Sequence, residues 1–498
     1  MSIYLLAIDQ GTSSSRAILF NKQAENCGSH QVPIKQFYLN NGWVEHDPLE
    51  IWETTLDCCK HAIQNAGISA DKIAAIGITN QRETTIIWDK KTGEPIYHAI
   101  VWQDRRTTDL CKTLSENLKL VDAVAKKTGL LIDPYFSATK ITWILDHVSN
   151  ARKRAENGEL AFGTIDTFLL WKLTNGKSFF TDATNASRTL LFNIHTQSWD
   201  DELLSLFNIP KQLLPDVLDC NAHFGVTDQS LLGVEIPITG IAGDQQAATI
   251  GQGCFEAGMI KSTFGTGAFI LLNTGKDAVQ SHHHLLTTIA YRINKQVTYG
   301  LEGSIFSAGV AVKWLHENLK LIASPLECEK YCCEIKDTNG VYFVSAFTGL
   351  GAPYWDPKAR AAIFGITRDS QISHIVRAAL ESVCYQTVDL IHAMQEDYAQ
   401  PLQTLQVDGG MSKNNWLLQF LSDMLGLPVK RPCCVETTAL GAAFLAGLGV
   451  GLYADLNEIT QIISQDKLFS PLFSDVEREK FYAGWRDAIA RVTTCEAK

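Results

Sequence analysis

One short pattern occurs twice in this chain and constrains its fold more than any other feature. The copies are Ala7-Ile8-Asp9-Gln10-Gly11-Thr12-Ser13-Ser14-Ser15-Arg16 and Lys261-Ser262-Thr263-Phe264-Gly265-Thr266-Gly267-Ala268-Phe269. In each, an apolar run stops at Gly-Thr and a second β-prone run follows at once, Ala17 to Phe20 or Phe269 to Leu272. The pattern predicts two strand-turn-strand hairpins, one in each half. Glycine lets backbone approach a ligand closely, and turn amides with neighbouring hydroxyls supply donors suited to phosphate oxygens. Two such turns facing each other would grip a triphosphate. Neither is a Walker loop, since Gly-x-x-x-x-Gly-Lys-Ser/Thr occurs at neither place; ordinary hairpins are the structural alternative.

At 498 residues the chain exceeds what one core organises, which predicts two or more domains. A formal charge of -11 and the lack of basic runs argue against a nucleic-acid groove or an anionic membrane surface, leaving small molecules as the expected partners. Thirteen cysteines, several adjacent (Cys58-Cys59, Cys332-Cys333, Cys433-Cys434), fit neither a disulfide framework nor a zinc site and read as free thiols of a cytoplasmic protein. No basic leader precedes the strand-like Ile3–Ile8 run. The Gly/Ala-rich stretch Thr437 to Ala454 falls short of the roughly 20 apolar residues of a bilayer span and reads as a buried helix. His282-His283-His284 reads as a solvated loop, because three adjacent side chains cannot all converge on one ion.

Strand-like runs (Ile3–Ile8, Ile73–Thr79, Thr84–Trp88) alternate with helical patterns at Glu50–Ala66 and Phe136–His147, an α/β arrangement. The same grammar restarts at Gly240-Ile241-Ala242-Gly243-Asp244 and continues with helical patterns at Ser373–Glu396 and Asn414–Leu425. The boundary is expected near residue 250, with a crossing helix and a cleft shared by the halves.

Several residues suit phosphoryl transfer, which asks for phosphate donors, a metal carboxylate and a group to orient the attacking hydroxyl. Asp9, at a strand end beside the first turn, could hold Mg²⁺ or cap the turn. Asp244 could accept a hydroxyl proton or cap the Ala-rich helix that follows it. Asn80-Gln81-Arg82-Glu83-Thr84-Thr85 is either a polyol-binding corner or a surface hairpin turn, and Trp102, Tyr135 and Phe269 could wall an apolar side of a pocket. Val407-Asp408-Gly409-Gly410-Met411-Ser412-Lys413-Asn414-Asn415 would let a flat ring lie on backbone at paired glycines, with Asn414 reading its edge.

In this order the motifs resemble the FGGY carbohydrate kinases of the actin-like ATPase superfamily, over nearly the whole chain. The resemblance is carried by Gly42-Trp43-Val44-Glu45-His46-Asp47-Pro48, Asp133-Pro134-Tyr135-Phe136, Tyr135 through Trp143, Gly243-Asp244-Gln245-Gln246, Gly349 through Trp355, and Gly365-Ile366 through Ala378-Ala379-Leu380-Glu381. It implies two ribonuclease-H-like domains, residues 1–250 binding glycerol and phosphates and residues 251–498 binding nucleotide. The implied activity is ATP-dependent phosphorylation of glycerol to sn-glycerol 3-phosphate in glycerol catabolism, with Mg²⁺, in a homodimer or homotetramer. By motif position Arg82, Glu83, Trp102, Tyr135, Asp244, Gln245 and Phe269 would contact glycerol, with Asp244 as general base. Thr12, Ser13, Ser14, Arg16, Thr266, Gly309, Lys313, Gly410 and Asn414 would contact nucleotide, and Asp9 would sit near the metal. Lys313 stands where some relatives carry Gln, and Ser13 keeps the hydroxyl of the more common Thr. Where some bacterial relatives place a Gly- and Arg-containing loop for fructose 1,6-bisphosphate, Asp228 to Glu235 offers Leu231-Leu232 and Glu235, so no such inhibition is expected.

Overall fold

A computed structural model describes residues 3–494. Both predicted hairpins form. Tyr4–Gln10 runs antiparallel to Ser14–Asn21, with Asp9 opposite Arg16, and Met259–Phe264 runs antiparallel to Ala268–Gly275, with Thr263 opposite Phe269. Each hairpin then takes a parallel neighbour on its first strand: Ile73–Asn80 in the first half and Thr404–Asp408 in the second.

Two twisted sheets grow from these hairpins. The first has six strands in the order Gly225–Val226, Pro237–Gly243, Ile73–Asn80, Tyr4–Gln10, Ser14–Asn21, Asn26–Pro33. The second has seven, in the order Leu286–Ile293, Gln296–Ile305, Ala268–Gly275, Met259–Phe264, Thr404–Asp408, Val429–Pro432, Gln465–Phe469. Antiparallel strands followed by parallel ones, twice over, make this a duplicated ribonuclease-H-like α/β fold. In such folds the turns at the carboxyl ends of the parallel strands form the ligand crevice.

Helix ends follow local chemistry. Pro48–Asn65 starts with Pro at its first position and Asp47 as cap, whose carboxylate accepts from the Leu49 amide at 2.8 Å, and it buries Ile51, Thr55, Cys58, Cys59 and Ala62 on one face. The 27-residue helix Ile372–Tyr398 begins with a reciprocal Gln371–His374 cap and ends at Ala399 in the left-handed region.

The Gly/Ala-rich stretch forms the helix Thr437–Gly449, buried almost throughout. It belongs to the second half in sequence yet packs on the first sheet and on the helix Asp244–Gly251. Its composition follows from that position: a Cβ at Gly441 would strike the Ala247 carbonyl, and one at Gly77 on the sheet below would strike the Ala442 carbonyl. Backbones this close admit no larger side chain. Among the described residues no helix is long and apolar enough to cross a membrane, and every cysteine is a free thiol. The histidine triplet lies in a loop with His282 and His284 exposed, as expected, while the part-exposed His283 lies 2.9 Å from both Glu396 and Asp397.

Candidate active site

Asn80 to Thr85 leaves the end of Ile73–Asn80 and is buried completely, so the surface-turn alternative fails. Reciprocal amide bonds hold it: Asn80 donates to Asn185 at 3.0 Å and Asn185 donates back at 3.1 Å. Gln81 donates to the Gln10 side chain at 3.0 Å and to the Gly11 carbonyl at 3.2 Å, which ties this corner to the first Gly-Thr turn. Glu83 sits at φ 59, strained for a residue with a β-carbon, and its carbonyl accepts from Ser137 and Thr85.

At the centre is a charge cluster that sequence reading found only in part. Arg82 Nε lies 3.0 Å from Asp244 Oδ1, and its two terminal nitrogens donate to Glu302 at 2.5 and 3.1 Å. Arg188 donates to Glu83 at 2.6 Å and to Glu302 at 3.0 Å. Two arginines and two carboxylates from both halves thus interlock almost out of reach of solvent, while the Asp244 side chain keeps 31% exposure. Burial by itself would raise Glu302, but Arg188 and Arg82 hold it down at about 2. Burial raises the Asp244 pKa from its ordinary value, opposed by Arg82 and Lys261. A partly buried carboxylate with a raised pKa beside a fixed guanidinium can accept a proton.

Arg188, Glu302 and Lys261 were not singled out from sequence. The available signal for Glu302 was a lone charge in an apolar strand, Tyr299–Ile305, and a buried salt-bridge partner gives no stronger mark. Lys261, lowered to about 8 mainly by burial, donates to the Gln245 side-chain oxygen and to Thr263 at 3.1 Å. Gln245 therefore lies beside Asp244 as expected, with its oxygen already engaged.

An aromatic wall completes this corner. The Trp102 ring stands edge-on to Tyr135 at 5.6 Å and to Phe269 at 6.1 Å, so residues from both halves line it. Trp102 donates its indole N–H to Thr12 at 2.9 Å and its amide to Thr84 at 3.2 Å. Tyr135 accepts from Arg82 at 3.4 Å, and its loop is pinned by Lys140, which donates to the carbonyls of Pro134, Tyr135 and Phe136. Trp102 thus joins Thr12 of the first Gly-Thr turn to Thr84 of the Asn80–Thr85 corner.

The second and third turns meet on the other side of the crevice. Thr266 is exposed at its turn, and its carbonyl accepts from the amides of Ala308 and Val310 at 3.0 and 3.1 Å. Gly309 opens the helix Gly309–Glu317 so close to this turn that a Cβ would lie 2.6 Å from the Gly265 carbonyl oxygen. Lys313, one helical turn on, is exposed and lies 3.7 Å from Glu317. Gly410 faces open space, with no atom within 4 Å of a Cβ built there. Asn414 accepts from the Leu417 amide at 2.9 Å as a helix cap, so its oxygen is committed to the backbone.

The first turn contributes Thr12, Ser13, Ser14 and Arg16. Ser13 is exposed, while the Ser14 hydroxyl accepts from Gln31 at 2.7 Å. Arg16 bridges Asp9 at 2.6 Å and Glu436 at 2.5 Å, the latter at the start of the crossing helix. Asp9 can offer one carboxylate to a hard cation only if it shares or exchanges Arg16. That fits Mg²⁺, which commonly keeps waters and phosphate oxygens as its other ligands.

Two Gly-Thr turns over a crevice, a buried arginine-carboxylate cluster and an aromatic wall define a sugar- or polyol-kinase class on the actin-like fold. Comparison with known proteins agrees: the FGGY family of carbohydrate kinases matches as its N-terminal domain over residues 4–251 and as its C-terminal domain over residues 260–450. The chain belongs to that family, and it is a kinase. Its relatives include the glycerol kinase of Coxiella burnetii, 58% identical over 99% of this chain and 98% of that protein, and glycerol kinase 1 of Pseudomonas aeruginosa, 58% identical over 99% of each. Among solved structures, Plasmodium falciparum glycerol kinase with ADP superposes with a TM-score of 0.93 at 39% identity, covering 100% of this chain and 99% of that one. Gluconate kinase from Lactobacillus acidophilus, at 22% identity and a TM-score of 0.88, shares the fold.

Proposed function

We propose that this protein is a glycerol kinase that transfers the γ-phosphoryl group of ATP to a terminal hydroxyl of glycerol, giving sn-glycerol 3-phosphate. One observation carries the reading: Asp244, half-open to the crevice, lies 3.0 Å from Arg82 beside the Trp102–Phe269 wall. That pocket offers a donor, an acceptor and an apolar side, which is what a three-carbon polyol presents in reverse.

In this reading Arg82 and Glu83 hold neighbouring hydroxyls, Tyr135 and Gln245 close the polar side, and Trp102 and Phe269 cover the carbon chain. Asp244 Oδ orients the terminal hydroxyl and takes its proton as the bond to phosphorus forms; a loose phosphoryl transition state needs no stronger base. Thr12, Ser13, Ser14, Arg16 and Thr266 donate to the phosphates, while Gly309, Lys313, Gly410 and Asn414 border the nucleoside. Asp9 would hold Mg²⁺, which when bound neutralises phosphate charge. The division falls near residue 250, with residues 1–250 holding glycerol and 251–498 the nucleotide, and the halves close to exclude water.

The test is ADP release by purified protein with Mg-ATP and glycerol, xylulose, ribulose, erythritol or no acceptor. Release dependent on glycerol, with glycerol 3-phosphate formed, is the expected result. Turnover confined to a larger sugar would move the substrate, and hydrolysis independent of acceptor would remove the transfer reaction.

A further inference from the structure

His30, Asp57 and His61 lie together on the outer edge of the first sheet, and one potential ligand atom from each lies within 4.8 Å of the others. The sequence places Asp57 and His61 four residues apart on the helix Pro48–Asn65, hence on one face. His30 sits on the edge strand Asn26–Pro33. What joins them is Gly28, two residues before His30 and on the same face of the strand. A Cβ there would lie 2.7 Å from the Ala62 carbonyl oxygen and from the Ala66 amide, so the helix rests directly on the strand. Asn65 fixes this contact by donating to the Ser29 carbonyl at 3.0 Å.

His30 Nε2 is 3.7 Å from Asp57 Oδ2, and His61 Nδ1 is 3.1 Å from Asp57 Oδ1. The imidazoles face each other at a centroid separation of 4.6 Å. All three side chains are part-exposed, at 34, 46 and 45%, so an ion has a path in and water can complete its shell. We propose that His30, Asp57 and His61 form a three-ligand site for a divalent transition metal ion of the Zn²⁺ type, separate from the crevice. Two imidazoles and one carboxylate favour that class over Mg²⁺ or Ca²⁺, which take oxygen donors. Bonds of about 2.0–2.2 Å require the ligand atoms to draw somewhat closer, which side-chain rotation on a fixed backbone supplies.

The test uses the full-length protein, stripped with chelator and titrated with Co²⁺ read by visible absorption, then with Zn²⁺ in competition. Expected is one saturable site, weakened at least about tenfold in both His30→Ala and His61→Ala. His283→Ala, which removes the histidine beside Glu396 and Asp397, should leave it unchanged. Thermal melts of the metal-free variants confirm that each is folded, and His61→Gln serves if His61→Ala is not. No saturable binding, binding unaffected by either histidine substitution, or binding lost only with His283 would overturn the assignment.

Discussion

Arg82 binds Asp244 at 3.0 Å through its Nε while its other nitrogens are locked onto Glu302. The guanidinium therefore cannot follow the substrate, and the position of the Asp244 carboxylate is set by a buried scaffold rather than by solvent. Asp244→Asn keeps the shape and removes the base. Turnover is expected to fall roughly 10²–10⁴-fold while ATP affinity, measured by titration calorimetry, changes little. Normal turnover in this variant would remove Asp244 from the mechanism.

Because burial raises Asp244, the acid limb of kcat/KM for glycerol should lie above the ordinary aspartate value of 3.8. The base must be ionised, so activity falls as pH drops through that limb. A pH profile of the wild type, with the residual activity of Asp244→Asn as reference, checks this; the limb should vanish in the variant.

Glu302 carries the opposite sign. Its folded pKa of about 2 lies below the ordinary 4.5, so its stabilisation is fully present above 4.5 and is lost as pH falls toward 2. Glu302→Ala removes the carboxylate shared by two buried guanidinium groups, leaving Arg82 only Asp244 and Arg188 only Glu83, at an expected cost of about 3–5 kcal/mol. Urea unfolding at neutral pH measures it, and a midpoint equal to wild type would contradict the charge network.

Gly410 and Gly309 differ in what an added methyl would meet. A methyl at Gly410 meets no protein atom within 4 Å, so Gly410→Ala should melt like wild type yet raise KM for ATP about tenfold if nucleotide lies there. Gly309→Ala, crowding the Gly265 carbonyl, should impair both. Unchanged KM in Gly410→Ala would place the nucleotide elsewhere.

Asp228 caps the short helix Gln229–Leu232, and Glu235 beyond it is exposed. This segment presents acidic groups where an anion site would need cations. Millimolar fructose 1,6-bisphosphate is expected to leave initial rates unchanged, and cooperative inhibition would refute this.

The two hairpins were legible because a strand-turn-strand signal is local: Gly-Thr between β-prone runs specifies its own geometry. Helices at Glu50–Ala66, Ser373–Glu396 and Asn414–Leu425 were legible through apolar spacing and caps, and differ from Pro48–Asn65, Ile372–Tyr398 and Asn415–Leu425 only at their ends. The Ala378-Ala379-Leu380-Glu381 motif marked the family, but only packing shows its physical role: Glu381 accepts from Arg377 at 2.8 Å and from Tyr385 at 2.9 Å inside the second core.

By itself the sequence determined the duplicated turns, the α/β grammar and the residue types available for phosphoryl transfer, since these depend on neighbours along the chain. Tertiary structure decided which charges share one cluster. Arg82, Arg188, Asp244 and Glu302 are dispersed over more than two hundred positions, and nothing local couples them. Only the crossing of two sheets, with helix Thr437–Gly449 from the second half wedged against the first, brings them within hydrogen-bond reach and makes each carboxylate answer to an arginine that is distant in sequence.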